Sequence, residues 1–481
     1  MAVIPKTRSN RQAILVLLAL AGVLAYTTFQ WGGVVRTGRY QYLIVLGLLA
    51  MWLGLGRSHD AWSQPPDRVL RWTAALLPAY VLLQVVPLPV TVLRLLSPAR
   101  AVAMDALEPV GAKVSFASLS VLPAGTFQYF LLVSGYIAIF LLAATLTRHF
   151  GHRRWLMIWP ILGIAALEAG LGLWQHFGGM GEQDQWGTYA NHNHYAGFLE
   201  MSLPLAVMYP VAVLDHAQSR WHSSVARALV ASGVWALALL MFSGIILSLS
   251  RMGFIATLSS LFVMGSLVLG TRQLGWVTAS RSRRWVGIGM VASLVLAGFV
   301  FLPPDRLIQR FAEFVSTDGL NGGLRTDLSA ETIPLIRAYP IFGCGLGEYM
   351  TAFSKFKRSE MLLTVDFVHN DYLQLLAELG LLGFAIGAAL AFSIVRMGLR
   401  GAMKSSDPEG RYFAVSCVGA LSTIALHSLA DFNLYIPANA MLLAWIAGMA
   451  VGSRESTTRI GERLGQPSVI TLETPEVIAL H

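Results

Sequence analysis

The stretch DFVHNDYLQLLAELGLLG, Asp366 to Gly383, places a histidine, an amide and a carboxylate, His369, Asn370 and Asp371, at the mouth of an otherwise apolar helix. A histidine titrates near neutrality and can take the proton of an attacking hydroxyl. Read as a helix, Asn370, Gln374 and Glu378 share one face at i, i+4 and i+8, while leucines populate the others. A polar stripe two turns into an apolar helix must face a bundle or a wet cavity, so a wet cleft behind His369 is expected. The bland reading of a histidine beside a helix start is a cap or a hydrogen-bond partner.

Four other stretches carry chemistry-bearing residues. In LSLSRMGFIA, Arg251 interrupts a long apolar run. An arginine there either snorkels from a turn between two spans or presents a fixed cation to an anionic substrate. In GTYANHNHYAGFLEM, Asn191 suits an N-cap, with Glu200 about two turns inside the helix. His192 and His194 suggest metal ligands, but residues i and i+2 on a helix do not face each other, and no carboxylate or cysteine pattern completes a site. They read as a polar helix start or as contacts to sugar hydroxyls. The segment around GLRTDLSAETIPLIRAYPIFGCGLGEY holds Arg325 and Arg337, a helix start near Thr326 and Asp327, and a stop before Pro340. Its Gly343, Gly345 and Gly347 suit tight turns. No strand precedes them and no Lys-Ser/Thr follows, which argues against a nucleotide loop. Finally, ALHSLADFNLYIPANAML sets His427, Asp431 and Asn433 in a hairpin, where Asp431 could orient a neighbouring cation.

The elements that must position these residues are membrane helices. Of 481 residues, 55% are hydrophobic and 13% charged, and the mean hydropathy is +0.60. Soluble domains carry roughly a quarter charged residues. Runs long enough to cross a bilayer fall near 12–30, 40–56, 72–90, 126–146, 155–177, 194–214, 228–249, 252–270, 286–302, 369–395, 412–428 and 435–452. The first, Ala13 to Phe29, lacks a small-residue cleavage site and reads as a retained span. With the N-terminus cytoplasmic, 22 of the 35 Lys and Arg fall inside and every short inside loop is basic. Both termini are then cytoplasmic, and the polar segments 179–193, 249–252, 303–369 and 429–434 share the outer face. The net charge of +9 suits cytoplasmic loops and anionic lipid rather than nucleic acid. Two cysteines make no disulfide framework. The expected organisation is N-terminal spans over 1–150, core spans over 151–302, an outer loop with short helices, one being PPDRLIQRFAEFV, over 303–368, C-terminal core spans over 369–452, and a tail over 453–481.

Together these residues resemble the superfamily of O-antigen ligases and Wzy-type polysaccharide polymerases. The ligase signature is a histidine followed by Asn, Ser or Gln, nine residues, Gly, two residues, and a small residue. His369–Asn370, Asp371 to Leu379, Gly380 and Gly383 fit that spacing. SRMG at 250–253, Arg325 ahead of a helix, and GCGLGEY at 343–349 look like further landmarks. The likeness spans roughly 155–452; residues 1–150 carry no matching motif.

The resemblance implies an all-α, GT-C-like polytopic fold of about 12 transmembrane helices in the bacterial inner membrane, with a periplasmic site. It implies an inverting glycosyltransferase without metal, nucleotide or other cofactor, drawing a glycan from undecaprenyl diphosphate. His369 would be the catalytic base, and Arg251 and Arg325 would engage the diphosphate. Asn191, His192, His194, Arg337, Asn370 and Gln374 are the remaining candidates for a substrate cleft. Three acceptors compete: another lipid-linked glycan (polymerase), lipid A core (ligase) and a protein hydroxyl. The NHNHYAGFLEM form favours the polymerase, for which a chain-length regulator is an expected partner. From another class, a transporter for lipid-linked sugars would need charges near the midplane, whereas these residues crowd one face.

Overall fold

The computed structural model describes residues 6–35, 43, 45–47, 67–179, 186–215, 223–270, 320–358, 365–405 and 407–453. Its principal helices are α1 (Lys6–Phe29), α2 (Arg68–Val85), the short α3 (Val90–Leu96) and α4 (Pro98–Asp105), α5 (Pro123–Phe150), α6 (Trp159–Gly178) and α7 (His192–Asp215). After these come α8 (Ser224–Leu247), α9 (Arg251–Gly270), α10 (Leu320–Ala338), the short α11 (Tyr349–Phe353), α12 (Asp371–Lys404), α13 (Pro408–His427) and α14 (Pro437–Gly452). The described sheet is one antiparallel pair, β1 (Leu88–Pro89) with β2 (Phe116–Ala117). Among the described residues, six helical stretches are long and apolar enough to cross a membrane: Asn10–Phe29, Pro123–Gly178, His192–Asp215, Ser224–Leu247, Arg251–Val268 and Asp371–Lys404. Helices satisfy every backbone group internally, as a bilayer demands. The chain is an all-α polytopic membrane protein.

Helices occupy ten of the twelve expected span positions. The span expected at 286–302 and the surface helix expected at 303–315 lie outside the described residues, as does nearly all of 40–56. Starts follow local chemistry: Asp67, Ser223, Asn370 and Asp407 cap α2, α8, α12 and α13 with side-chain oxygens on the first free amides. Two boundaries differ from expectation. Helix α2 stops at Val85 rather than running to residue 90, because Val86 precedes Pro87 and takes an extended ψ of 127°. Helix α10 begins at Leu320, ahead of the start expected near Thr326, because the intervening glycines cost helix stability without breaking it.

Helix α7 is the centre, buried along most of its length and packed against α8, α9 and α13. The segment 320–358 builds a smaller core over the start of α12 from Leu335, Tyr339, Cys344, Tyr349 and Phe353, together with Val368 and Ala377.

The glycines of the signature explain how that segment docks. Gly380 breaks α12 with φ 63° and ψ −177°, a conformation open essentially to glycine alone. Into the break fits the turn at 340–347: Cys344 N donates to Ala377 O, Gly345 N to Glu378 O, Leu381 N to Pro340 O and Leu382 N to Ile341 O. A Cβ on Gly380 would stand 2.4 Å from Gly343 N and from Ile341 O, both backbone atoms. Helix α2 locks the joint. Tyr80 Oη donates to Leu379 O at 2.6 Å, and Gln84 Nε2 donates to Phe342 O and Glu378 O at 2.8 and 2.9 Å. Gly383 leaves room for the Tyr80 ring, which would lie 2.3 Å from a Cβ there. The N-terminal region, silent as sequence, thus braces the helix that carries His369.

Candidate active site

His369 sits immediately before α12 with φ 55°, a left-handed conformation unusual for a side chain of its size. The amide two residues on anchors this turn: Asp371 N donates to Ser428 O at 2.9 Å and to Asp431 O at 3.2 Å. The turn between α13 and α14 is thereby tied to the start of α12. It delivers Asp431, whose Oδ1 meets His369 Nδ1 at 3.4 Å. The His369 side chain is 31% exposed and that of Asp431 1%. Phe432 N donates to the same Asp431 oxygen at 2.9 Å, and His194 Nε2 approaches it to 3.7 Å. Burial by itself would push the Asp431 carboxyl up. The contacts from His194 and His369 and the charges of His194 and His427 outweigh it, and hold the group well below the usual carboxylate range. An ionised carboxylate only accepts, so the His369 nitrogen facing it is the one that carries hydrogen, and Nε2 is left for a substrate.

Aromatic rings shape the surroundings. Phe367 stacks on Phe432 at 4.1 Å and 8°, while His369 stands edge-on to Phe432 at 4.9 Å and 70°. The imidazole therefore has an apolar wall, an anionic anchor and one open side.

The polar stripe has a different purpose from the one expected. Gln374 and Glu378 are buried and face no wet cleft. Gln374 Oε1 accepts from Val368 N at 3.1 Å and its Nε2 donates to Glu378 Oε1 at 3.2 Å. Glu378 also accepts from Gly347 N and Tyr435 Oη, both at 2.6 Å, and from Tyr349 N at 3.2 Å. A carboxylate with four donors is a satisfied internal knot, and it cinches the glycine turn to α12. Gln374 is thus buried within this knot and lines no cleft here. Asn370 is the α12 cap, accepting from Tyr372 N and Leu373 N at 3.0 and 3.1 Å.

The remaining candidates divide by position. Asn191 Oδ1 accepts from Asn193 N at 2.8 Å, the expected cap of α7, and His192 follows it, half-buried. His194 turns inward onto Asp431 and is 5% exposed, so the sugar-contact reading does not describe its side chain here. Arg251 opens α9 after a tight turn in which Leu249 has φ 57°; it is half-buried and engaged by other groups. A Cβ on Gly253 would meet that of Ala196 at 2.8 Å, so the start of α9 abuts the first turn of α7, beside His194. Arg251 therefore shares the end of the bundle that holds His369. Arg325 lies within α10, its side chain outside the described residues, and Arg337 is exposed near the end of that helix. Among the described residues no group of His, Cys, Asp and Glu could hold a metal ion.

Asp431 is the residue whose weight the sequence understated. Its signal was a carboxylate in a short turn between two apolar helices, a costly location without a partner. Nothing local indicated that the partner lay 62 residues earlier.

No curated protein matches the chain. Residues 236–388 match the family model described as O-antigen ligase, a stretch that contains Arg251, Arg325, His369, Gly380 and Gly383 and stops short of Asp431. With these residues the chain carries, over 236–388, a domain of the O-antigen ligase and Wzy superfamily.

Proposed function

We propose that the protein transfers a glycan from undecaprenyl diphosphate to an acceptor hydroxyl at the periplasmic face of the inner membrane, as a polysaccharide polymerase. One observation carries the reading: His369 is partly open while its Nδ1 is anchored on the buried carboxylate of Asp431 at 3.4 Å. That arrangement is a poised general base, an effect typically worth about 10²–10⁴-fold.

The acceptor oxygen attacks the anomeric carbon as Nε2 takes its proton. The bond from that carbon to the phosphate oxygen breaks, and the lipid diphosphate leaves. A single displacement inverts the anomeric centre. The leaving group is already good, so the site chiefly neutralises its growing charge. Arg251 and Arg325 are assigned that role, because a guanidinium offers a permanent charge and a fork matched to phosphate oxygens. On this reading arginine stands where other transferases place a divalent cation. Alternating basic loops support cytoplasmic termini and a periplasmic site. A chain-length regulator is the partner such a polymerase would take.

The family description favours a second acceptor, lipid A core, which would make the protein a ligase. Purified full-length protein in nanodiscs, given a polyprenyl-diphosphate oligosaccharide alone or with lipid A core, separates the two. Lengthened lipid-linked product supports the polymerase. Product on lipid A core alone overturns it in favour of the ligase, and no transfer from the lipid diphosphate in either mixture overturns the proposed activity.

A further inference from the structure

We propose that His194 is a positioning residue that holds the Asp431 carboxylate against His369; this rests on the reading of His369 as the base. Two histidines from different elements address one oxygen. His369 Nδ1 meets Asp431 Oδ1 at 3.4 Å, and His194 Nε2 lies 3.7 Å from the same atom. Both rings also stand edge-on to Phe432, at 4.6 Å and 73° for His194 and 4.9 Å and 70° for His369. The Asp431–Phe432 pair is thus gripped from both sides, and Phe367 closes the third face.

The grip is needed because the other contacts of Asp431 do not fix it. Among the described residues its Oδ2 is buried without a hydrogen-bond partner, and beyond the two histidines its Oδ1 accepts from Phe432 N at 2.9 Å. The titratable groups around it are His194 and Glu200 from α7, His369 and Asp371 at the start of α12, and His427 from α13. Most are committed elsewhere. His427 Nδ1 is bound to Glu200 at 2.9 Å, and Asp371 accepts from Ser428 Oγ at 2.7 Å and Leu434 N at 3.3 Å. His194 is held in its place by its own backbone, with its carbonyl accepting from Asn439 Nδ2 at 2.9 Å and its amide donating to Asn191 O at 3.1 Å. It acts from the rigid first turn of α7, while His369 is strung on a loop. Removing it would let the carboxylate rotate off His369 without touching any substrate group.

The test is a double-mutant cycle on the full-length protein in nanodiscs, with a polyprenyl-diphosphate oligosaccharide as donor. His194→Ala should lower kcat about tenfold with the donor KM within about twofold, and in an Asp431→Asn background the same change should cost less than about twofold. His194→Gln, which keeps a donor at similar reach, should recover most of the loss and serves if the alanine variant does not fold. Without substrate, His194→Ala should move the ¹⁵N resonances of the His369 ring in the direction that Asp431→Asn moves them. Multiplicative losses, a raised KM at unchanged kcat, or unmoved His369 resonances would each overturn the proposal in favour of a direct sugar contact or a packing role. If His369→Ala still transfers glycan, the reading of His369 as base fails instead, and the resonances still report whether His194 orients the Asp431–His369 pair.

Discussion

Two histidine–carboxylate pairs lie at the same end of this bundle and have opposite characters. His427 and Glu200 are fully buried, 2.9 Å apart, between α13 and α7. His369 and Asp431 are 3.4 Å apart, and the histidine is nearly a third exposed. The first pair joins two regular helices and has no face left for a ligand. The second joins a strained residue before α12 to a short turn, and only its carboxylate is buried. Identical functional groups thus serve as a rivet in one place and as a tool in the other. What distinguishes them is the backbone that carries them: regular helix holds both partners of the first pair, whereas the loop before α12 exposes one nitrogen of His369 and anchors the other.

The largest expected effect on stability is at the rivet. His427→Ala or Glu200→Ala leaves a buried polar group without its partner, at a cost of roughly 3–5 kcal/mol. Thermal unfolding in detergent should show it, and an unchanged midpoint would mean that the pair is not structural. At the tool, Asp431→Asn should lower glycan transfer about 100-fold, near 2.7 kcal/mol of transition-state stabilisation, with a far smaller loss of folding stability. Gly380→Ala drives a Cβ into the backbone of Gly343 and Ile341, and should destabilise by roughly 2–3 kcal/mol with transfer lost in proportion to folded protein. Arg251→Lys keeps the charge but not the fork, and should slow transfer about tenfold; unchanged kinetics would leave Arg251 as a snorkelling residue.

The smallest effect is in pH dependence. The Asp431 carboxyl is held below its ordinary range in the folded protein, so its contribution to stability is fully present above the unfolded value, about 3.9. It is lost only as pH falls through the lower, folded value. Melting temperatures of the wild type should therefore show no step from this group between pH 8 and about pH 4. Asp431→Asn should flatten the decline below that. A wild-type step above pH 5 that Asp431→Asn removes would show that the carboxyl is not held low.

Much of the helical layout was legible because bilayer crossing imposes length and composition directly on sequence. The signature histidine and its glycines were legible as spacing, and Gly380 owes its place to a backbone break that excludes a Cβ. The stripe through Gln374 and Glu378 was visible as periodicity, but periodicity reports only that a face is polar. Whether water or protein satisfies it depends on the turn at 340–349, which returns from elsewhere in the chain. Tyr80 and Gln84 were illegible for the same reason: they act at separations of some 260–300 residues, each through a pair of hydrogen bonds to backbone carbonyls. Asp431 and His194 read as local features, a turn residue and a helix start, because their meaning lies in one shared contact across three elements.

The most direct test of the account is the transfer rate of purified His369→Ala with a polyprenyl-diphosphate oligosaccharide donor, measured beside its melting temperature. The expected result is a loss of about 10²–10⁴-fold with a nearly unchanged midpoint. Transfer at the wild-type rate by a folded His369→Ala protein would contradict it.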